Sequence, residues 1–167
     1  MSAVLFSRNL SKILQRSYHS TGKLQFLNGL FSFKSSNPFA KNTSLLPVRN
    51  DNELNEALMQ SYKVPLILNF TMRGSNNVRC NDLTGALTRI VLTELDQPEY
   101  LINFVDVETD YPETMDSLLR FGVNNIPTLV AVKSTFPIDW YVPPSDKSKY
   151  EYWEDLSEWV KKNAKRV

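Results

Sequence analysis

The sequence predicts an α/β chain, a three-layer sandwich with helices on both faces of a central mixed sheet. Three observations lead there. Apolar runs of strand length alternate with stretches whose apolar residues recur at helical spacing. Two of those runs, Val64 to Met72 and Leu101 to Val107, are largely apolar, as strands covered on both faces are. The chain then finishes with one more strand and a long helix.

The elements follow in order. Val48 is placed in a short strand. Asn50 and Glu53, three residues apart, have the spacing of a helix N-terminus. Leu54, Ala57 and Leu58 supply that helix's apolar stripe. Pro65 opens the Val64–Met72 strand, where a missing N–H is tolerated. Leu83, Ala86, Leu87, Ile90, Val91 and Leu95 form the stripe of a second helix, ended by Asp96-Gln97-Pro98. Leu101 to Val107 is one buried strand, closed by Asp106 and Glu108. Pro112 suits the first turn of a third helix, with Met115, Leu118, Leu119 and Phe121 toward the core and Gly122 at its exit. Thr128 to Val132 is the next strand, and Ile138 to Val142 the one after it. Pro143-Pro144-Ser145-Asp146 makes a turn, and Ser148 with Glu151 fits a capping box. The last helix runs from about Lys149 to Ala164. Trp153, Leu156, Trp159 and Val160 form its inner face; Lys161, Lys162, Lys165 and Arg166 suit its C-terminal end.

Charge divides the chain. Residues 1–50 carry seven basic side chains and no acid, whereas residues 51–167 hold 12 basic and 18 acidic residues, a balance of −6. An acidic body argues against nucleic-acid binding, because phosphates are held by basic clusters. In a helix Arg8, Lys12 and Arg16 share one side, with Phe6, Leu10, Ile13 and Leu14 roughly opposite. Basic, amphipathic and acid-free is the pattern of a mitochondrial presequence; the plain alternative is a basic tail. Arg16-Ser17-Tyr18-His19-Ser20 has the look of a matrix-peptidase site, with cleavage after Tyr18. The apolar stretch from Phe26 to Phe39, broken by Gly29, Lys34 and Pro38, is either linker or a small docking surface. Residues 1–45 are therefore assigned to presequence and linker, and 46–167 to the folded domain. No run of 18 apolar residues exists, so no membrane span is expected.

Three pieces carry a resemblance. They are Val64-Pro65-Leu66-Ile67-Leu68-Asn69-Phe70, Phe104-Val105-Asp106-Val107, and Phe121-Gly122-Val123-Asn124-Asn125-Ile126-Pro127-Thr128-Leu129. With them the chain, from about Val48 to Lys165, resembles the thioredoxin-like family. The resemblance implies that family's sandwich, a cis Ile126–Pro127 bond facing the redox turn, and a groove formed with Thr128. It aligns the family's two active cysteines with Ser75 and Val78, so the turn reads Ser75-Asn76-Asn77-Val78. The family's buried proton-transfer acid aligns with Asn69, and the tryptophan before the first cysteine with Gly74. This is a degenerate member on that alignment. Ile126–Pro127 either keeps a peptide-binding groove or only shapes the turn.

Dithiol exchange needs one sulfur to attack and a second to resolve the mixed disulfide. The chain has a single cysteine, Cys80, so that mechanism is excluded. Cys80 reads as a buried small hydrophobe, as a thiol for mixed-disulfide or glutathione chemistry, or as a minor exposed group. Ser75 caps the following helix or sits in a contact loop. Arg73 and Arg79 flank the turn and either pair with an acidic partner or are solvated. The only histidine, His19, leaves with the presequence, which removes zinc ligation and serine–histidine hydrolysis. Asp106, Glu108, Asp110, Glu113 and Asp116 read as solvated caps rather than a metal site. There is no glycine-rich phosphate loop, and no cofactor or metal is implied.

The expectation is a non-catalytic mitochondrial protein that binds a protein partner or complex, as accessory subunit or assembly factor. It would work in the matrix or peripherally at the matrix face of the inner membrane. Two surfaces are candidates: the groove at the turn and Pro127, and the aromatic tail with Trp140, Tyr141, Tyr150, Tyr152, Trp153 and Trp159. The rival is a single-thiol or glutathione-linked oxidoreductase using Cys80, which requires that thiol to be exposed. A third reading keeps the fold alone.

Overall fold

The computed structural model describes residues 41–73, 77–95, 99–144 and 149–167. Expectations on the leader and His19, on Gly74, Ser75 and Asn76, on the Asp96-Gln97-Pro98 stop and on the Ser148 cap lie outside the described residues. So does the side chain of Tyr150. In chain order the elements are α1 (Asp51–Gln60), β1 (Leu66–Thr71), α2 (Val78–Arg89), β2 (Tyr100–Leu101), β3 (Asn103–Glu108), α3 (Met115–Arg120), β4 (Thr128–Lys133), β5 (Phe136–Tyr141), α4 (Lys149–Asn163) and β6 (Lys165–Arg166).

The main sheet has the order β3-β1-β4-β5. β1 runs parallel to β3 and antiparallel to β4, and β5 returns antiparallel to β4. The sheet is therefore mixed, and side-chain alternation divides its two faces. Leu66, Leu68 and Phe70 of β1 pack with α1 and with Leu118, Phe121 and Val123 around α3. Ile67 faces the other way, into α2 and α4, with Phe104, Leu129, Ala131, Leu156 and Val160. This is the three-layer α/β sandwich.

Local chemistry explains the helix ends. Asn50 Oδ1 accepts from Glu53 N–H at 3.0 Å, while the Glu53 carboxylate accepts from Arg49 N–H at 2.7 Å. Two otherwise orphan N–H groups are satisfied reciprocally. α2 is capped by Asn77, whose Oδ1 accepts from Cys80 N–H at 3.4 Å. Asn77 is thus the N-cap of this helix. Past Arg89 the same helix widens into a π-turn over Ile90–Glu94. Buried Asn42 serves this irregular end. Its Nδ2 donates to the Val91 and Leu95 carbonyls at 3.2 and 2.8 Å, and its Oδ1 accepts from Ile102 N–H at 2.9 Å.

Several expectations are corrected. Leu101 to Val107 is not one strand: β2 pairs with β6 in a separate two-stranded sheet, and β3 begins at Asn103. Lys165 and Arg166 belong to β6 rather than to the last helix. Val48 makes a single parallel bridge to Val107 instead of a strand. Met115 and Leu119 do not face the core; Leu119 is 84% exposed. α3 has only six residues, preceded by a 3-10 turn at Pro112–Thr114. Its buried line runs Thr114, Ser117, Leu118, Phe121, the i, i+3, i+4, i+7 set of one helical face, with Leu118 half-buried.

The β4–β5 hairpin turns on Ser134 and Thr135, with φ of 50° and 70°. That left-handed region costs a non-glycine residue about 1–2 kcal/mol, and β-branched residues avoid it most. Ser61 holds the turn in place: Ser134 N–H donates to its carbonyl at 3.1 Å and Thr135 N–H to its Oγ at 2.8 Å. Thr135→Gly keeps both donors and removes the Cβ. It should raise stability by about 0.5–1 kcal/mol after the added freedom of the unfolded chain is subtracted. Thr135→Val should give no gain. Thermal melting of both variants checks this; an unchanged Tm for the glycine variant would refute it.

Candidate functional site

Several of the sequence-predicted residues that the structure describes lie at one end of the sheet. β1 and β3 end there, β4 begins there and β5 arrives there, because Phe70 pairs with Thr128 and Val130 with Trp140. In open α/β sheets this rim beyond the parallel strands is where ligands are held. The Ile126–Pro127 peptide bond is cis. Pro127 and Thr128 are buried and Ile126 is half-buried. Arg73 leaves β1 on this rim, and Asn77 and Val78 enter α2, with Val78 exposed.

On β1 and β3 near this rim lies a polar network. Asn69 is fully buried and sits opposite Asp106 in the parallel register. Its Nδ2 donates to Asp106 Oδ1 at 2.9 Å and to Thr84 Oγ1 at 2.8 Å. Its Oδ1 is buried and finds no partner among the described residues. An amide cannot take up or release a proton as a carboxyl does, so this position does no acid–base work. The other Asp106 oxygen accepts from Arg73 Nη2 at 3.0 Å.

Asp106 and Glu108 are not solvated caps. They alternate on the α2/α4 face of β3, both buried. Glu108 is held between two guanidiniums: Arg49 Nε lies 2.8 Å from its Oε2, and Arg73 Nε 3.0 Å from its Oε1. Arg73 N–H also donates to Asp110 Oδ2 at 2.5 Å. Arg49 stands over the Tyr111 ring, 5.6 Å from its centroid, and its pKa is raised first by the bond to Glu108. Arg73 thus pairs with acids of this chain. Thr84, Arg49, Asp106 and Glu108 were missed as site residues. The available signal was an acid pair at period two inside an apolar strand, in step with Asn69 on the neighbouring strand.

Cys80 is 0% exposed, on the inner side of α2 with Leu83 and Leu87. The two aromatics at the β5 end diverge. Trp140 is exposed, and its Nε1 donates to the Phe121 carbonyl at 2.8 Å. Tyr141 turns inward against Trp159 and Tyr152, with ring centroids at 5.6 and 6.3 Å. Burial, then the nearby Asp155 charge, pushes its phenol up to about 12. Tyr141 is therefore packed against α4. Just before them Asp139 accepts from Lys162, Asn163 and Trp140 N–H; burial opposes its ionisation, yet these bonds hold its pKa below the usual value.

Among the described residues no group of histidine, cysteine and acidic side chains is arranged to hold a metal, and no helix is long and apolar enough to cross a membrane.

No protein-family model matches this chain, and no curated protein does. Solved structures do. A mutant thioredoxin from Halobacterium salinarum is 15% identical with a TM-score of 0.53, covering 77% of this chain and 96% of that one. Mitochondrial thioredoxin 3 from Saccharomyces cerevisiae is 20% identical with a TM-score of 0.50, covering 72% and 93%. Thioredoxin O2 from Arabidopsis thaliana is 15% identical with a TM-score of 0.50, covering 73% and 96%. The chain has the thioredoxin fold.

Proposed function

We propose that this chain is a thioredoxin-fold protein that holds other proteins and does not exchange thiols. It serves as an accessory subunit or assembly factor of a mitochondrial complex, in the matrix or at the matrix face of the inner membrane. One observation carries the reading: the single thiol is sealed inside α2. The aligned cysteine positions hold Ser75 and Val78, and the aligned acid position holds Asn69. Fold alone does not fix function, so the argument rests on these side chains. The acid-free basic leader supports the mitochondrial assignment. The single-thiol alternative needs an exposed Cys80 and loses its nucleophile to burial.

Three measurements test the proposal. Cys80 of the folded chain should alkylate at least about a hundredfold more slowly than in urea, because labelling waits for opening. Insulin reduction by the pure protein should not exceed the buffer rate. Affinity capture from mitochondria should return a stoichiometric partner, lost on Asn76→Arg or Trp140→Glu. Rapid alkylation, or real turnover in the insulin assay, would replace this reading with the enzyme. Capture of nothing stoichiometric would end the partner claim.

A further inference from the structure

A cleft of about 480 Å³ is lined by the outer face of α2, by Pro143 and Pro144 just after β5, and by Tyr152 and Trp153 of α4. Its floor is a stripe of α2: Arg79, Asp82, Gly85 and Arg89. Its wall is Pro143 and Pro144 on one side and Tyr152 and Trp153 on the other. The volume is in the range of sites that hold a small ligand or a few residues of peptide.

Three features show a surface shaped for an occupant. The first is Gly85. Glycine inside a helix costs stability relative to alanine. No packing among the described residues requires it, since a Cβ at 85 would meet none of their heavy atoms within 4 Å. The residue is exposed and its missing side chain opens onto the cleft. The second is the placement of the guanidiniums. Arg79 and Arg89 are exposed and ten residues apart, ~15 Å at about 1.5 Å of rise per residue. Each is already oriented. Arg79 Nη2 donates to the Pro143 carbonyl at 3.0 Å, and Arg89 lies over the Trp153 ring, 5.4 Å from its centroid. Both keep further N–H donors, and a positioned guanidinium loses less freedom when it takes a carboxylate. The third is charge. Among the described residues that line this cleft, a basic group stands at either end and one acid, Asp82, between them.

We propose that this cleft binds an extended acidic segment of a partner protein, with two carboxylates four residues apart, one on Arg79 and one on Arg89. Four residues of extended chain span roughly 13 Å, which matches the separation of the arginines. The middle of the segment passes over Gly85, where its backbone comes close to the helix. Asp82 accepts a backbone N–H from it, and Tyr152 and Trp153 cover its apolar side chains. The inference deepens the protein-binding reading and rests on it, and the residues it names are not Ile126, Pro127 or Thr128.

The test uses the full 167-residue chain. The probe is a fluorescent peptide, acetyl-Glu-Val-Thr-Val-Glu-amide, with its Gln-for-Glu version as control. Fluorescence anisotropy should show binding to the acidic peptide that weakens as salt rises. Arg79→Glu and Arg89→Glu should each weaken it at least tenfold, and Arg89→Lys less. Gly85→Leu should abolish it by filling the floor while leaving Tm equal or higher, because leucine favours the helix. Equal binding of the Gln peptide, equal binding to Gly85→Leu, or no binding would overturn the proposal. So would complete competition by free glutamate or inorganic phosphate at the concentration of the peptide, which would mark a small-anion site. Capture from mitochondria separates the two readings. If wild type and Gly85→Leu return the same partner, this cleft is wrong and the protein-binding reading stands. If neither returns one, both fall.

Discussion

Asn69→Asp is expected to cost the fold about 3–4 kcal/mol at neutral pH and almost nothing near pH 3, relative to the unsubstituted protein. The amide nitrogen lies 2.9 Å from Asp106 Oδ1. An oxygen in its place would set two carboxylates against each other in a buried position. One of them must then keep its proton well above the ordinary carboxylate range. The sign follows from proton linkage. The new carboxyl is protonated more readily in the folded than in the unfolded state, so stability falls as pH rises between the unfolded and folded values. Below about pH 4 it is protonated in both states and the penalty vanishes. Each unit of upward shift is worth about 1.4 kcal/mol, so two to three units give the stated cost. Urea unfolding of variant and parent from pH 3 to pH 8 measures it. A penalty that does not change with pH would mean the two groups swing apart and never meet.

Phe121→Ala should remove about 3–5 kcal/mol at any pH, the usual cost of emptying a buried aromatic site. Phe121 is 2% exposed and packs on Phe70 of the central strand with ring centroids 5.9 Å apart. Its backbone also receives the Trp140 indole N–H, so the ring fixes the chain that holds the β5 end in place. A loss of that size is a large part of the roughly 5–15 kcal/mol that domains possess. The variant should therefore be partly unfolded near 37 °C. The urea midpoint is the readout, with the m-value unchanged. A loss under about 1 kcal/mol would place this ring outside the core.

Much of the sandwich was legible because burial imposes period. Leu54, Ala57 and Leu58 on α1, Leu66 to Phe70 on β1, and Leu156, Trp159 and Val160 on α4 all lie where their spacing put them. What escaped was set by contacts distant in sequence. The π-turn after Arg89 depends on Asn42, whose amide collects carbonyls 49 and 53 residues away. The division between β2 and β3 depends on Lys165 and Arg166 returning to pair with Tyr100 and Leu101. Met115 and Leu119 read as core because apolar residues at helical spacing usually are, and in a helix of six residues Leu118 and Phe121 already fill the one inward face. At the site, Asn69 was found by alignment with a lost acid. Its bond to Asp106 and the pairing of Glu108 with Arg49 and Arg73 were not, because acids at a strand end ordinarily face water and only the register shows these turned inward.

The sealed sulfur has a physiological side. Peroxide and glutathione act on thiolates they can reach, and the one sulfhydryl of this chain sits at zero exposure behind the first turns of α2. This molecule would keep the same surface when an oxidant is added, because its sulfur is out of reach while the fold is closed.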